Sequence, residues 1–330
     1  FFTFSLGVRK LLIKDKNIPS FVNKLQNSSL MLLRQLGTSM STLFGICNAR
    51  SLKGEGNLYK HFEYPVHKNG NVEKKTHTFP ESIEVAVIGS GAGGGVAANV
   101  LSEKYEVGIF DKGSYLNKET NNETFGYHNF YESYGMQQTR KFNVLLLAGK
   151  SVGGGTTINW TTSLKTPENI LNEWDSLTNQ DKYFNSETFK NSMDYVCKKL
   201  NVSEENNKIP HKEVKLIEGL EKNDIGYKII PRNLSNLDYL EDGFSTFGSG
   251  YESRNSTYTS WFSEDTFDQK NIYSDTNIKK LVISNKRATH IEVENGSNTK
   301  KIAVNKVILS AGALNTPKIL MDSGYSNKQL

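Results

Sequence analysis

IEVAVIGSGAGGGVAANVLSEKYEVGIFDKG, residues 83–113, changes its period twice. Ile83–Ile88 is a short apolar run stopped by a glycine, which reads as a buried strand. The small residues that follow Gly91 read as a helix, and Val107–Phe110 as a second strand. Strand, glycine turn, helix and strand make one βαβ unit. Gly89, Gly91 and Gly94 form Gly-x-Gly-x-x-Gly at the strand-to-helix junction. The first glycine allows the tight turn, and the second lets a pyrophosphate approach the backbone. The anion then meets a helix N-terminus, where free N–H groups and the dipole favour it. Asp111 follows Gly89 by 22 residues, at the end of the second strand. That is close to the spacing of about 20 at which a carboxylate takes the ribose hydroxyls of an adenosine. Glycines that merely pack helix on strand would not need this acid.

A second glycine stretch, AGKSVGGGTTINW, covers residues 148–160. Gly149-Lys150-Ser151 is the tail of a triphosphate-binding loop, which also needs a glycine five residues upstream. Val144 stands there, so that reading fails. The βαβ fingerprint serves NAD and FAD alike, since each presents an ADP half. A nicotinamide enzyme has no evident use for a second glycine cluster, whereas the long FAD molecule needs close backbone approach twice. Gly153, Gly154 and Gly155 are expected to clear side chains from the path of the ring or pyrophosphate, with Asn159 as a polar handle beyond them. The plain alternative is a tight glycine loop with no ligand.

The rest of the chain fits a globular α/β protein. Its 330 residues are enough for about two domains, with 40 Lys+Arg against 35 Asp+Glu and no basic block that would point to nucleic acid. Cys47 and Cys197 are too few for a disulfide framework or a thiolate metal site. An intracellular, reducing compartment is expected, and no metal. No apolar run reaches the roughly 18 residues of a membrane span.

Residues 30–47 place Leu30, Leu33, Leu36, Met40, Leu43, Phe44 and Cys47 at helical spacing. A helix packed on the main domain is preferred over a membrane-surface helix, because the polar face lacks Lys/Arg richness. Residues 51–80 read as a connector. Ser186 is an expected N-cap before the stripe Phe189, Met193, Val196 and Leu200, with Cys197 as a core thiol. Residues 232–270 read as loop. The alternation around Asn295-Gly296 reads as a hairpin, and a helix is expected near Thr316-Pro317. The divisions implied are 1–80, an N-terminal helical segment and connector; 81–165, the first part of a cofactor domain; 166–270, a partial α+β substrate or cap region; and 271–330, the return to the cofactor domain.

GKSVGGGTTINW and GALNTPKILMDSG, residues 149–160 and 312–324, resemble the two signatures of the glucose-methanol-choline (GMC) family of FAD oxidoreductases. LAGKSVGGGTTINWTTSLKTP and AGALNTPKILMDSGYSNKQL resemble, more narrowly, the yeast-type long-chain fatty alcohol oxidases. The resemblance runs from about residue 30 to the end. It implies an FAD-binding Rossmann-like, doubly wound domain with a cap. It also implies oxidation of a long-chain primary alcohol to the aldehyde, with oxygen as acceptor and hydrogen peroxide as product. By matched positions Gly89, Ser90, Gly91 and Gly94 would hold the pyrophosphate, with Ala92 beside them, and Asp111 the ribose, with Lys112 beside it. Gly149, Gly153, Gly154 and Asn159 would face the flavin, Ile278 would touch adenine through main chain, and Ala311 and Gly312 would line the returning strand.

Departures from the resemblance are equally specific. Asp242, Ser245 and Ser249 stand where relatives carry cysteines, and Tyr325 and Ser326 alter the second signature. The hydroxyl proton of an alcohol needs a base, commonly histidine, yet His61, His67, His77, His128, His211 and His290 sit in no motif. His290 is expected to face solvent from a strand. In the family the active-site histidine comes from a C-terminal segment, expected beyond Leu330, so no catalytic residue is assigned and the chain is expected to be the FAD-binding half. The alternatives are a GMC enzyme for another alcohol, a catalytically inactive flavin-binding relative, and a nicotinamide dehydrogenase. Relatives in yeasts imply peripheral association with a peroxisomal or microsomal membrane.

Overall fold

The structure is a computed structural model that describes residues 18–50, 72, 74–115, 129–140, 144–178, 182–205, 209, 211–235, 254–262 and 267–325. The chain divides into two compact units. In the first, helices α1 (Ile18–Gln26) and α2 (Met31–Arg50) pack together. They meet at Gly37, where a Cβ would stand 2.7 Å from the Gln26 nitrogen and 2.8 Å from the Leu25 Cβ. The helix read from residues 30–47 is therefore present, and Gly37 serves the helix crossing.

The second unit is built on β1 (Ser82–Ile88), α3 (Ala92–Ser102) and β2 (Val107–Phe110), the βαβ unit expected from sequence. Helices α4 (Glu168–Thr178), α5 (Glu187–Lys199) and α6 (His211–Lys222) follow, with the short antiparallel pair β3 (Val202–Ser203) and β4 (Arg232–Asn233). After α7 (Thr257–Trp261) come β5 (Ile272–Tyr273), β6 (Asn277–Ser284), β7 (Arg287–Asn295), β8 (Asn298–Leu309) and α8 (Gly312–Asp322).

One six-stranded sheet runs β5-β2-β1-β8-β7-β6, parallel through β5, β2, β1 and β8 and antiparallel from β8 to β6. Ile88 pairs with both Phe110 and Leu309, and Phe110 pairs with Tyr273. Gly89, Asp111 and Ser310, the residues after these pairs, consequently leave the sheet along one edge. Ligands of parallel α/β sheets bind at that carboxyl edge.

The central strands are apolar throughout because each face has its own core. Val85, Val87, Val107, Ile109 and Ile272 pack with Ala98, Trp261, Phe262 and Phe267. Ala86, Ile88, Phe110 and Tyr273 face the other way, against Ile278, Leu281, Ile291, Ile302 and Ile319. Neighbours in sequence go to opposite cores, the period-2 rule of a strand.

Several expectations need correction. Residues 254–262, read as loop, contain α7, which Ser256 starts by accepting from the Thr259 N–H. α8 begins at Gly312, ahead of Thr316-Pro317; Pro317 lies inside it and removes only one hydrogen bond, to the exposed turn at Ala313. Ser186 does cap α5, accepting from Phe189 N–H at 3.2 Å. Its stripe is half-buried, however, and Cys197 with it, because one face of α5 is open. His290, expected in solvent, is half-buried on β7, with Nδ1 3.1 Å from the Thr289 hydroxyl.

The end of the supposed connector is an ordered strap. Lys75 N–H donates to the Asp275 carboxylate, and Asn295 Nδ2 donates to the Lys75 carbonyl. His77 Nε2 lies 2.9 Å from the Ser274 carbonyl, which can only accept, so this nitrogen carries the proton. The ring sits edge-on to Tyr273, 5.5 Å between centroids. Burial holds the His77 pKa below its ordinary 6.5, against the raising pull of the Ser274 carbonyl and Asp275. The unfolded chain then binds this proton more readily than the native one. Stability attributable to His77 is whole above about pH 6.5 and falls as pH drops through the lower native value. His77→Gln keeps a donor for Ser274 without titrating, so urea midpoints compared across that range should show a shallower acid loss in the variant. Parallel curves for both proteins would refute the assignment.

Candidate functional site

The carboxyl edge gathers both glycine stretches around Ser90. Asp111 Oδ2 accepts from Ser90 N–H at 2.9 Å and from Ser90 Oγ–H at 2.5 Å. Asp111 Oδ1 accepts from Gly113 N–H at 2.8 Å. The Ser90 oxygen in turn accepts from Gly153 N–H at 2.9 Å. A chain of donors thus runs from the second glycine stretch, through the fingerprint, to the acid. Burial raises the Asp111 pKa, and the bonds from Ser90 and Gly113 pull against that rise. One lone-pair direction on Oδ1 remains for a further donor such as a ribose hydroxyl.

Each glycine is demanded by something particular. Gly89 has φ +96°, and a Cβ there would lie 2.4 Å from the Ser310 carbonyl oxygen and 2.9 Å from the Ala311 Cα. On Gly94 it would lie 1.9 Å from the Gly89 oxygen. Gly149 backs onto Gly154, with 2.6 Å left for a Cβ. Gly153 is buried at φ +91° against Thr157 and Tyr258, and Gly154, at φ +56°, faces the Gly91 Cα at 3.0 Å from its own notional Cβ. The second cluster was expected to clear room for a cofactor. Two of its three central glycines are instead needed for backbone curvature and for contact with the fingerprint. Only Gly155 opens onto free space.

From sequence, Gly113 carries no assigned role and Ser151 enters only through the rejected triphosphate-binding triplet and the second glycine stretch. A Cβ on Gly113 would stand 2.3 Å from the Ser151 nitrogen, and Val152 N–H donates to the Ser114 carbonyl at 3.0 Å, so the loop after β2 is zipped to the second glycine stretch. Ser151 Oγ is 2.5 Å from Thr157 Oγ1. The signal was a glycine two residues after the acid.

The remaining candidates fall around this network. Ala92 is exposed in the first turn of α3. Lys112 is paired with Glu132, so its charge is already compensated. Asn159 is exposed and its Oδ1 accepts from Thr161 N–H at 3.0 Å, closing a turn. Ile278 is buried two residues after Thr276, whose N–H donates to the Asp111 carbonyl at 2.8 Å. Ala311 lies against Gly89, and Gly312, at φ +83°, has no heavy atom within 4 Å of a notional Cβ.

These residues fit a dinucleotide. α3 starts at Gly91 with no side-chain cap and no acid in its first turn, so its amino end keeps its donors and its positive dipole for an anion. Notional Cβ atoms on Gly155 and Gly312 meet nothing within 4 Å, leaving bare main chain along the edge. Among the described residues no cluster of His, Cys, Asp or Glu could hold a metal.

Residues 82–330 match the family described as GMC oxidoreductase. The chain belongs to the GMC oxidoreductase family. FAD is the cofactor that goes with this membership. The chain is 33% identical over 268 residues to the Arabidopsis thaliana long-chain-alcohol oxidase FAO4A, covering 75% of this chain and 35% of that protein. With the long-chain-alcohol oxidase FAO1 of the same plant it is 29% identical over 277 residues, or 78% and 36%. The chain therefore spans about a third of the length of these relatives. An Aspergillus oryzae RIB40 formate oxidase structure superposes with a TM-score of 0.52 at 15% identity, over 74% of this chain and 48% of that one. That likeness speaks for the Rossmann-like fold alone.

Proposed function

We propose that this chain is the FAD-binding part of an oxidase that converts long-chain primary alcohols to aldehydes and passes the electrons to oxygen, giving hydrogen peroxide. The observation that carries the reading is the junction of the two glycine stretches, Gly91 against Gly154 and Ser90 bridging Asp111 to Gly153. When bound, FAD supplies the two-electron acceptor. In this proposal the α3 amino end holds the pyrophosphate, Asp111 orients the ribose, Ile278 lies under the adenine, and the open backbone at Gly155 faces the flavin side. The chain length of the alcohol is supported by the identity to the two plant oxidases.

Among the described residues no hydrogen bond joins His77, His211 or His290 directly to Ser90, Asp111, Gly113 or Gly153, and His61, His67 and His128 lie outside them. No proton acceptor is assigned. The substituted cysteine positions Asp242, Ser245 and Ser249 and the altered Ser326 also lie outside them. Attachment to a peroxisomal or microsomal membrane surface belongs to the same proposal. No described helix is long and apolar enough to cross a membrane. Exposed Leu30, Met31, Leu32 and Leu36 form the apolar surface such attachment would use.

The test is spectroscopic. This chain mixed with FAD and passed through gel filtration should stay yellow, and the complete protein should be bleached by a long-chain alcohol added without oxygen. A folded protein that emerges colourless overturns the reading. A complete protein that is yellow and that no alcohol bleaches supports the second reading, a flavin-binding relative without turnover.

A further inference from the structure

We propose that Arg254 and Thr257 are positioning residues: together they clamp the turn Gly153–Thr157 onto the fingerprint helix and so set where the flavin-side half of FAD lies. This rests on the FAD-binding reading above. Arg254 is a buried cation just ahead of α7, and its Nη1 donates to the Thr157 carbonyl at 2.6 Å. That carbonyl ends a single 3-10 turn, Gly154–Thr157, whose last carbonyls have no partner within the turn. A guanidinium there satisfies the oxygen and complements the negative end of the turn.

Three residues on, Thr257 holds the same turn from its other side. Its N–H donates to Thr156 Oγ1 at 3.0 Å, while the Thr156 hydroxyl donates to the Gly153 carbonyl at 2.6 Å. The Thr257 methyl meanwhile fills the place of a side chain on α3, 2.1 Å from where a Cβ on Gly95 would be. One short segment thus touches both glycine stretches. The clamp is itself fixed, since Arg254 bridges to Leu234 and Ser256 caps α7 through reciprocal bonds with Thr259.

A cation held away from water is costly unless its bonds are good. Burial pulls the Arg254 pKa down to about 10 from its ordinary value, and the residue still holds its proton at neutral pH. Ordinary packing at this place would be met by an apolar side chain of the same length. A donor aimed at the Thr157 carbonyl calls for arginine instead.

The experiment compares the full chain with R254M, R254K and T156V, reading the FAD dissociation constant, the rise in thermal midpoint that FAD induces, and the visible circular dichroism of bound flavin. R254M should bind FAD about tenfold more weakly, with an altered flavin band. R254K, which keeps a charged donor, should stay within about threefold. A buried residue with only a structural role would lower the midpoint of the FAD-free protein and leave the flavin band unmoved. Should R254M fail to fold, T156V carries the test, with an expected loss of about fivefold. Wild-type affinity and band shape in R254M or, where that variant does not fold, in T156V overturn the clamp while leaving the FAD reading intact. Failure of the unmodified chain to bind FAD overturns both.

Discussion

Gly94→Ala should abolish FAD binding and cost about 3 kcal/mol of stability, the upper range for forcing extra volume into a packed interior. The added methyl would lie 1.9 Å from the Gly89 oxygen and 2.3 Å from the Ser310 hydroxyl oxygen. Neither neighbour can yield. Ser310 Oγ is bonded to the Ile88 and Gly89 carbonyls, and the Gly89 N–H is held by the Phe110 carbonyl. α3 must therefore tilt away from the sheet, and its amino end goes with it. Gly93→Ala is the matched control, because it makes the same chemical change one residue earlier, where nothing stands within 4 Å. Inside a helix that change should add about 0.5–1 kcal/mol by restricting the unfolded chain. FAD affinity should be retained. Denaturation midpoints and an FAD titration on the two variants decide the matter, and equal behaviour of the pair would remove the packing argument.

Strand, turn and helix at residues 83–113 were legible because local rules suffice there. An apolar run, a glycine turn and a small-residue helix each carry their own signal, and the acid at position 111 fixes the register of the second strand. What the two glycine clusters do to each other was not legible. Nothing local says that Gly154 faces Gly91 or that Gly153 donates to Ser90, since these are contacts between segments some 60 residues apart. Their composition announced close approach but not the partner. Arg254 was hidden for the opposite reason. It sits among Ser, Asn and Thr residues without hydrophobic period, and the Thr157 carbonyl it meets lies 97 residues away in the chain. The order in residues 74–80 likewise depends on partners some 200 residues away, Asp275 and Asn295 among them.

Asp111→Ala should weaken FAD binding by at least tenfold and destabilise the FAD-free protein by about 3 kcal/mol. The side chain is buried and takes three donors, Ser90 N–H, Ser90 Oγ–H and Gly113 N–H. Truncation leaves them facing a cavity, and a buried donor without a partner costs roughly 1–3 kcal/mol. The Ser90 hydroxyl can turn elsewhere, which is why the total stays below the sum. Asp111→Asn separates charge from hydrogen bonding. Because burial raises the native pKa of this acid above its ordinary 3.8, the native state binds its proton more firmly than the unfolded chain does. Its contribution to stability is then present below about pH 3.8 and declines as pH rises through the native value. Asn does not titrate. The difference in urea midpoint between wild type and D111N should accordingly move in favour of the variant as pH is raised from about 4 to 7. A difference that stays flat, or that moves towards wild type, would mean that the three donors outweigh burial and that the acid stands fully charged before any ribose arrives.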